Sequence, residues 1–101
     1  MQLDIDEILE NSELAEQFLK LLANRNRLMV LCSLMDEELS VTEINERIPL
    51  SQSALSQHLA TLRAAGTVAI RREGQTIYYR IQDPRVERIL ATLADLFCES
   101  E

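Results

Sequence analysis

Apolar residues return every three or four positions along most of the 101-residue chain, and every second position in one stretch past its middle. The first rhythm belongs to helices with one face turned inward, the second to strands. Between Asp4 and Glu10, Ile5, Ile8 and Leu9 stand among acids and mark a short amphipathic turn or two. After Asn11-Ser12, read as a cap, "ELAEQFLKLLA" sets Leu14, Phe18, Leu21 and Leu22 at helical spacing. "NRNRLMVLCSLMDEE" gives a second helix with Leu28, Leu31, Leu34 and Met35 packing inward. Ser40, with Glu43 three residues on, forms a capping box that opens "VTEINERI", and Pro49 stops that helix because it has no N–H to donate. Ser51 caps a fourth helix over 51–65, and Gly66 falls where a left-handed C-terminal cap is wanted.

The period then changes. "TVAIRREGQTIYYRI", residues 67–81, alternates Val68 and Ile70 with polar neighbours, turns around Glu73-Gly74-Gln75, and alternates again through Ile77, Tyr79 and Ile81. That pattern predicts a β-hairpin with a charged tip. Asp83 caps a last helix, Pro84 takes its first position, and Val86, Ile89, Leu90, Leu93 and Phe97 form its stripe. The expected fold is mainly α with a β-hairpin: four helices, the hairpin and a final helix, in one domain over residues 1–101. Two short helices joined by the turn "IPLS" make a helix-turn-helix, and the hairpin that follows is a wing.

Projected at ~100° per residue, the fourth helix turns Leu55, Leu59 and Leu62 to the core. Ser53, Gln57, Ala60 and Ala64 fall on the opposite side, with Gln52, Ser56 and Arg63 on one flank, whereas His58 falls beside the leucines. An ordinary solvated face would favour long charged side chains, which are nearly missing here. A face of amides, hydroxyls and small alanines suits a major groove, where glutamine bonds adenine edges, serine bonds either base and alanine gives clearance. The wing brings Arg71 and Arg72, with Gln75 and Thr76 across the turn, groups of the kind that hold phosphates; the plainer alternative is an edge strand guarded by charges.

Net charge, at −7 over the whole chain, argues the other way. Its distribution does not. Residues 1–46 carry −8, residues 47–80 carry +4 from five arginines and one acid, and residues 81–101 carry −3. Charges beyond about 8 Å are largely screened at cellular salt, so a local cationic block can still meet a polyanion. The remote acids slow encounter and weaken non-specific binding. With no signal segment and no apolar run near the ~18 residues of a membrane span, a cytoplasmic protein is expected, working at the bacterial nucleoid. Only two glycines are present, with no glycine-rich phosphate loop, activated-serine motif or supported acid/base dyad, so an enzyme is not expected.

"LANRNRLMVLCSLMDEELSVTEINERIPLSQSALSQHLATLRAAGTVAIRREGQTIYYRI" resembles the ArsR/SmtB family of winged-helix transcriptional regulators, and in particular its thiol-bearing HlyU/BigR/SqrR-like branch. The resemblance runs from about residue 14 to Cys98, with "LSQSALSQHLATLR" and "REGQTIYY" its most specific segments. It implies a homodimer paired through its terminal helices on an inverted-repeat operator in double-stranded DNA. By that resemblance Gln52, Ser53, Ser56 and Gln57 read bases, while Ser51, Arg63, Arg71, Arg72 and Gln75 hold the backbone. Metal sensing, common in the family, is not expected and no cofactor is implied: the Cys-x-Cys position of the arsenic-type site reads Ser40-Val41-Thr42, and "DPRVERILATLADLFCES" has no histidine for a zinc-type site.

Two cysteines remain. On the residues alone, Cys32 reads as a small buried hydrophobe and Cys98 as a thiol at a frayed end. The resemblance implies instead that they face each other and are joined, directly or through added sulfur, by oxidants or reactive sulfur species that release DNA. Direct repression and antirepression of silenced virulence-type genes both stay open, and the alternative to either is a winged-helix protein-interaction module without a redox switch.

Overall fold

The computed structural model describes residues 3–98; residues 1–2 and 99–101 of the 1–101 unit lie outside them. Six helices and three strands follow one another: α1 (Ile5–Glu10), α2 (Ser12–Leu22), α3 (Arg25–Ser33), β1 (Leu39–Ser40), α4 (Val41–Arg47), α5 (Gln52–Ala64), β2 (Val68–Glu73), β3 (Thr76–Ile81) and α6 (Pro84–Phe97). The core is almost wholly aliphatic. Leu22, Val30, Leu31, Leu34, Leu39, Ile44, Ile48, Leu55, Leu59, Leu62, Val68, Val86 and Leu90 form one buried cluster; it draws on every element from α2 to α6 except β3, whose partly buried Tyr79 and Ile81 pack against it.

Most of the expected punctuation is present. Ser40 and Glu43 make a reciprocal capping box, the Ser51 hydroxyl accepts from the Ala54 N–H, and the Asp83 carboxylate accepts from the Arg85 N–H with Pro84 just inside α6. Gly66 adopts φ +77°, while the Thr67 N–H donates to the Leu62 carbonyl and the Gly66 N–H to that of Arg63. Those paired bonds are a Schellman motif, which satisfies carbonyls at the end of α5 and swings the chain directly into the wing. In the hairpin, Glu73 and Thr76 are cross-strand partners and Gly74 takes φ +61° at the first of the two loop positions, as a type II′ turn requires.

Four features depart from the expected plan. The N-terminal turn is a helix in its own right, α1, and Asn11 serves as its C-cap and as the N-cap of α2 at once; its side chain does not cap α2, because the Asn11 amide donates back to the Glu7 carbonyl and the Ser12 hydroxyl to that of Leu9. The second long helix stops at Ser33, five residues short of Glu38, because Leu34 and Met35 close tight turns and Asp36 takes a left-handed φ of +60°. That reversal frees Leu39-Ser40 to pair antiparallel with Tyr79 and Tyr78, so the wing is the outer part of a three-stranded sheet in the order β1-β3-β2. Finally, Leu14 and Phe97, expected in core-facing stripes, are 63% and 80% exposed within the chain.

Leu31 on α3 is fully buried. Leu31→Ala should therefore cost about 2–5 kcal/mol through lost transfer energy and the cavity left behind. Urea unfolding followed by circular dichroism measures it; a change below ~1 kcal/mol would mean that the site is not in the cohesive core.

Candidate nucleic-acid interface

The surface of interest is built from the inside outward. Leu55, Leu59 and Leu62, each at most 1% exposed, hold α5 against α3, α4 and β2. A helix anchored along that line must turn its other side to solvent, and Ser51, Gln52, Ser53, Ser56, Gln57, Ala60 and Arg63 are all exposed. His58 is half-buried beside the leucine row, off the outer face. The Asn45 side chain donates to the carbonyls of Ile48 and Leu50, bracing the turn that sets α4 against α5. Nothing in the local pattern announces this brace, since an asparagine inside a polar helix carries no periodic signal.

Two shallow depressions flank the helix pair. Gln52 lines one with Val41, Thr42, Asn45 and Glu46; Gln75 lines the other with Ser40, Val41, Thr42, Thr76 and Ile77, between the wing and the start of α4. The α5 face and the wing tip thus lie on either side of the first turn of α4, with amides and hydroxyls throughout. The Ser51 hydroxyl is shared between its capping bond and Ser53 Oγ at 3.4 Å.

The cations of the +4 block are not equally available. Arg47 makes a two-pronged pair with Glu37 at 2.7 and 3.1 Å. Arg71 is gripped by Glu38 and Glu73 at 2.8 and 2.9 Å, with its guanidinium 4.6 Å from the Tyr78 ring centroid. Those contacts hold the Glu37 and Glu38 carboxyls below the usual carboxylate range, so both are ionised at neutral pH. Arg80 borders a depression with Asp36, Glu37, Glu38 and Glu87. Among the described residues Arg63, Arg72 and Arg80 form no ion pair, and of these Arg80 stands beside the acids of that depression.

Cys32 lies on α3 and Cys98 ends α6; both are free and solvent-exposed. Partial burial pushes the Cys32 thiol above its ordinary value, and the Cys98 charge adds to the rise. Among the described residues no three His, Cys, Asp or Glu side chains converge as a metal ion would require. No described helix is long and apolar enough to cross a membrane.

A helix-turn-helix followed by a wing, with a polar exposed second helix, defines a winged-helix regulatory protein. Residues 24–69 match the model of bacterial regulatory proteins of the arsR family. The chain is 45% identical to the transcriptional activator HlyU of Vibrio cholerae over 98 residues, covering 97% of this chain and 91% of that protein. The structure of reduced HlyU from Vibrio cholerae N16961 superposes with a TM-score of 0.87 at 46% identity, over 94% of this chain and all of that one. The transcriptional repressor BigR of Xylella fastidiosa superposes at 0.90 with 31% identity, over 97% of this chain and all of that one. The chain belongs to the arsR family and is a transcriptional regulator, not an enzyme.

The rise at Cys32 has a direct consequence. Thiolate is the reactive form, so alkylation of Cys32 should keep accelerating above about pH 8.5, the ordinary thiol midpoint. Cys98→Ser should lower the Cys32 midpoint only in part, because burial is the larger cause. Iodoacetamide rates resolved by peptide mass spectrometry test this, and a midpoint below the ordinary value would contradict it.

Proposed function

We propose that this regulator binds an inverted-repeat operator in double-stranded DNA as a homodimer, with α5 as recognition helix in the major groove. The observation that carries the reading is the outer face of α5, where Gln52, Ser53, Ser56 and Gln57 are exposed above a row of buried leucines. Gln52 and Gln57 suit adenine edges and Ser53 and Ser56 either base, while Ser51, Arg63, Arg72 and Gln75 are placed to hold phosphates. Apolar side chains exposed on α1, α2 and α6, among them Ile8, Leu14, Leu96 and Phe97, supply a surface for pairing through the terminal helices. Pairing is needed on geometric grounds, because two half-sites one DNA turn apart, about 34–36 Å, call for two recognition helices. Such a protein works in the cytoplasm at the nucleoid.

Gel-shift titration on the promoter of its own gene tests the reading. Gln57→Ala should cost about 1–3 kcal/mol and relax sequence preference, whereas Arg72→Ala should weaken all duplexes alike and reduce the salt slope by about one. Wild-type protein that binds its operator no better than random duplex at low salt would defeat the reading.

The second part of the proposal is a thiol switch. The Cys98 charge contributes to the raised Cys32 thiol, and one HlyU structure that superposes on this chain is of the reduced protein. An oxidant accepts two electrons, two protons leave, and a sulfur–sulfur bond ties α3 to the end of α6; a persulfide donor instead transfers its outer sulfur to one thiol and departs as its own thiol, after which the same two-electron oxidation closes a longer bridge. Either link clamps two helices and so changes the spacing of the recognition helices in the dimer. Diamide or a persulfide donor should lower operator affinity, and Cys32→Ser or Cys98→Ser should abolish that response while leaving reduced binding intact. An unaltered response in both serine variants would remove the switch. Activator and repressor both occur among the similar proteins, so repression and antirepression are compatible with the same switch.

A further inference from the structure

Arg71 and Arg72 are neighbours on β2, yet the structure treats them differently. Successive strand residues point to opposite faces, and the register pairs Arg71 with Tyr78 and Arg72 with Ile77. Arg72 forms no ion pair among the described residues, whereas the Arg71 guanidinium is engaged on three sides. Its Nε donates to Glu38 Oε1 at 2.8 Å, with Nη2 also 2.8 Å from that oxygen in the ion pair; its Nη1 donates to Glu73 Oε2 at 2.9 Å, and the Tyr78 ring lies beneath it. Two of its five N–H groups are therefore committed. Two carboxylates around one guanidinium also leave that spot negative, which opposes the approach of a phosphate.

What Glu38 belongs to matters more than the pair itself. Its side chain is only 29% exposed, and it directly precedes Leu39-Ser40, the two-residue strand β1 that pairs with β3. Ser40 is in turn the N-cap of α4, the first helix of the helix-turn-helix. Arg71 thus links the far strand of the wing, across β3, to the residue from which the reading head begins. β1 offers only a two-residue ladder, so the sheet alone gives this junction little stiffness.

We infer that Arg71 is a positioning residue: with Glu38 it forms a strut that fixes the wing against the helix-turn-helix, and Arg72 on the opposite face makes the phosphate contact. This rests on the DNA-binding reading above. Exposed ion pairs are individually weak, so the strut acts by restricting the wing before binding; without it, ordering the wing is deferred to the complex and weakens it. A phosphate contact behaves differently, since its loss also removes a released counterion.

The test compares Arg71→Gln, Glu38→Gln, their combination and Arg72→Gln in salt-dependent operator titrations. Each of the first two should weaken binding by about twofold to fivefold, the range of one exposed pair, with an unchanged salt slope. Their combination should be no worse than the worse single variant, because both remove the same link. Arg72→Gln alone should lower the slope by about one. If Glu38 merely withholds Arg71 from DNA, Glu38→Gln will tighten binding and Arg71→Gln will lower the slope, and the inference is overturned; an inert Glu38→Gln overturns it equally. Hydrogen exchange without DNA provides an independent readout. Amides of β1 and of the wing should exchange faster in both strut variants than in wild type, and unchanged exchange refutes the strut even if the wild type binds no DNA.

Discussion

Three leucines govern the placement of everything that could touch a ligand. Leu55, Leu59 and Leu62 are spaced so that one side of α5 is drawn into the core, at about 1.5–3 kcal/mol apiece for full burial. With that line fixed, the helix has no freedom to rotate, and its amides and hydroxyls are held outward. The Schellman turn at Gly66 then transmits the orientation, because the chain leaves α5 along a path set by the Thr67–Leu62 bond and enters β2 within two residues. Wing and helix are consequently joined by a turn whose path these bonds define.

Charge acts locally in this molecule. Its basic block holds five arginines, but Arg47 and Arg71 are each satisfied by carboxylates of the Glu37-Glu38 segment, and Arg80 borders the same acids. The acidic run after α3 is therefore part of the scaffold, pinning α4 on one side and the wing on the other. Arg63 and Arg72 keep their charge for the outer surface. An acidic protein can in this way carry a face with available cations, since Glu37, Glu38 and Glu73 are paired with arginines and screening keeps the acids of the terminal helices from acting at long range.

The thiols belong to α3 and to the end of α6, and the exposed apolar residues Leu96 and Phe97 immediately precede Cys98. In the proposed dimer a link between them would alter the surface that a partner chain covers, and α3, which packs against both α4 and α5, would carry that change towards the recognition helix.

Much of this was legible in the residues themselves. Local signals sufficed for the capping box at Ser40-Glu43, the stop at Pro49, the caps at Ser51 and Asp83, the turn at Gly74 and the inward leucines of α5, because each is written in a few neighbouring positions whose chemistry has one good solution. The candidate binding face followed from the same periodicity. Long-range pairing had no such signature. That Leu39-Ser40 joins the sheet depends on Tyr78 and Tyr79, some forty residues away, and on a left-handed Asp36 that no glycine announced. That Arg71 is spoken for depends on Glu38, thirty-three positions earlier. Sequence alone determined which side chains are presented, since periodicity and capping are properties of adjacent residues; only the tertiary structure decided which charges are already neutralised, since that depends on which distant segments the core brings within 3 Å.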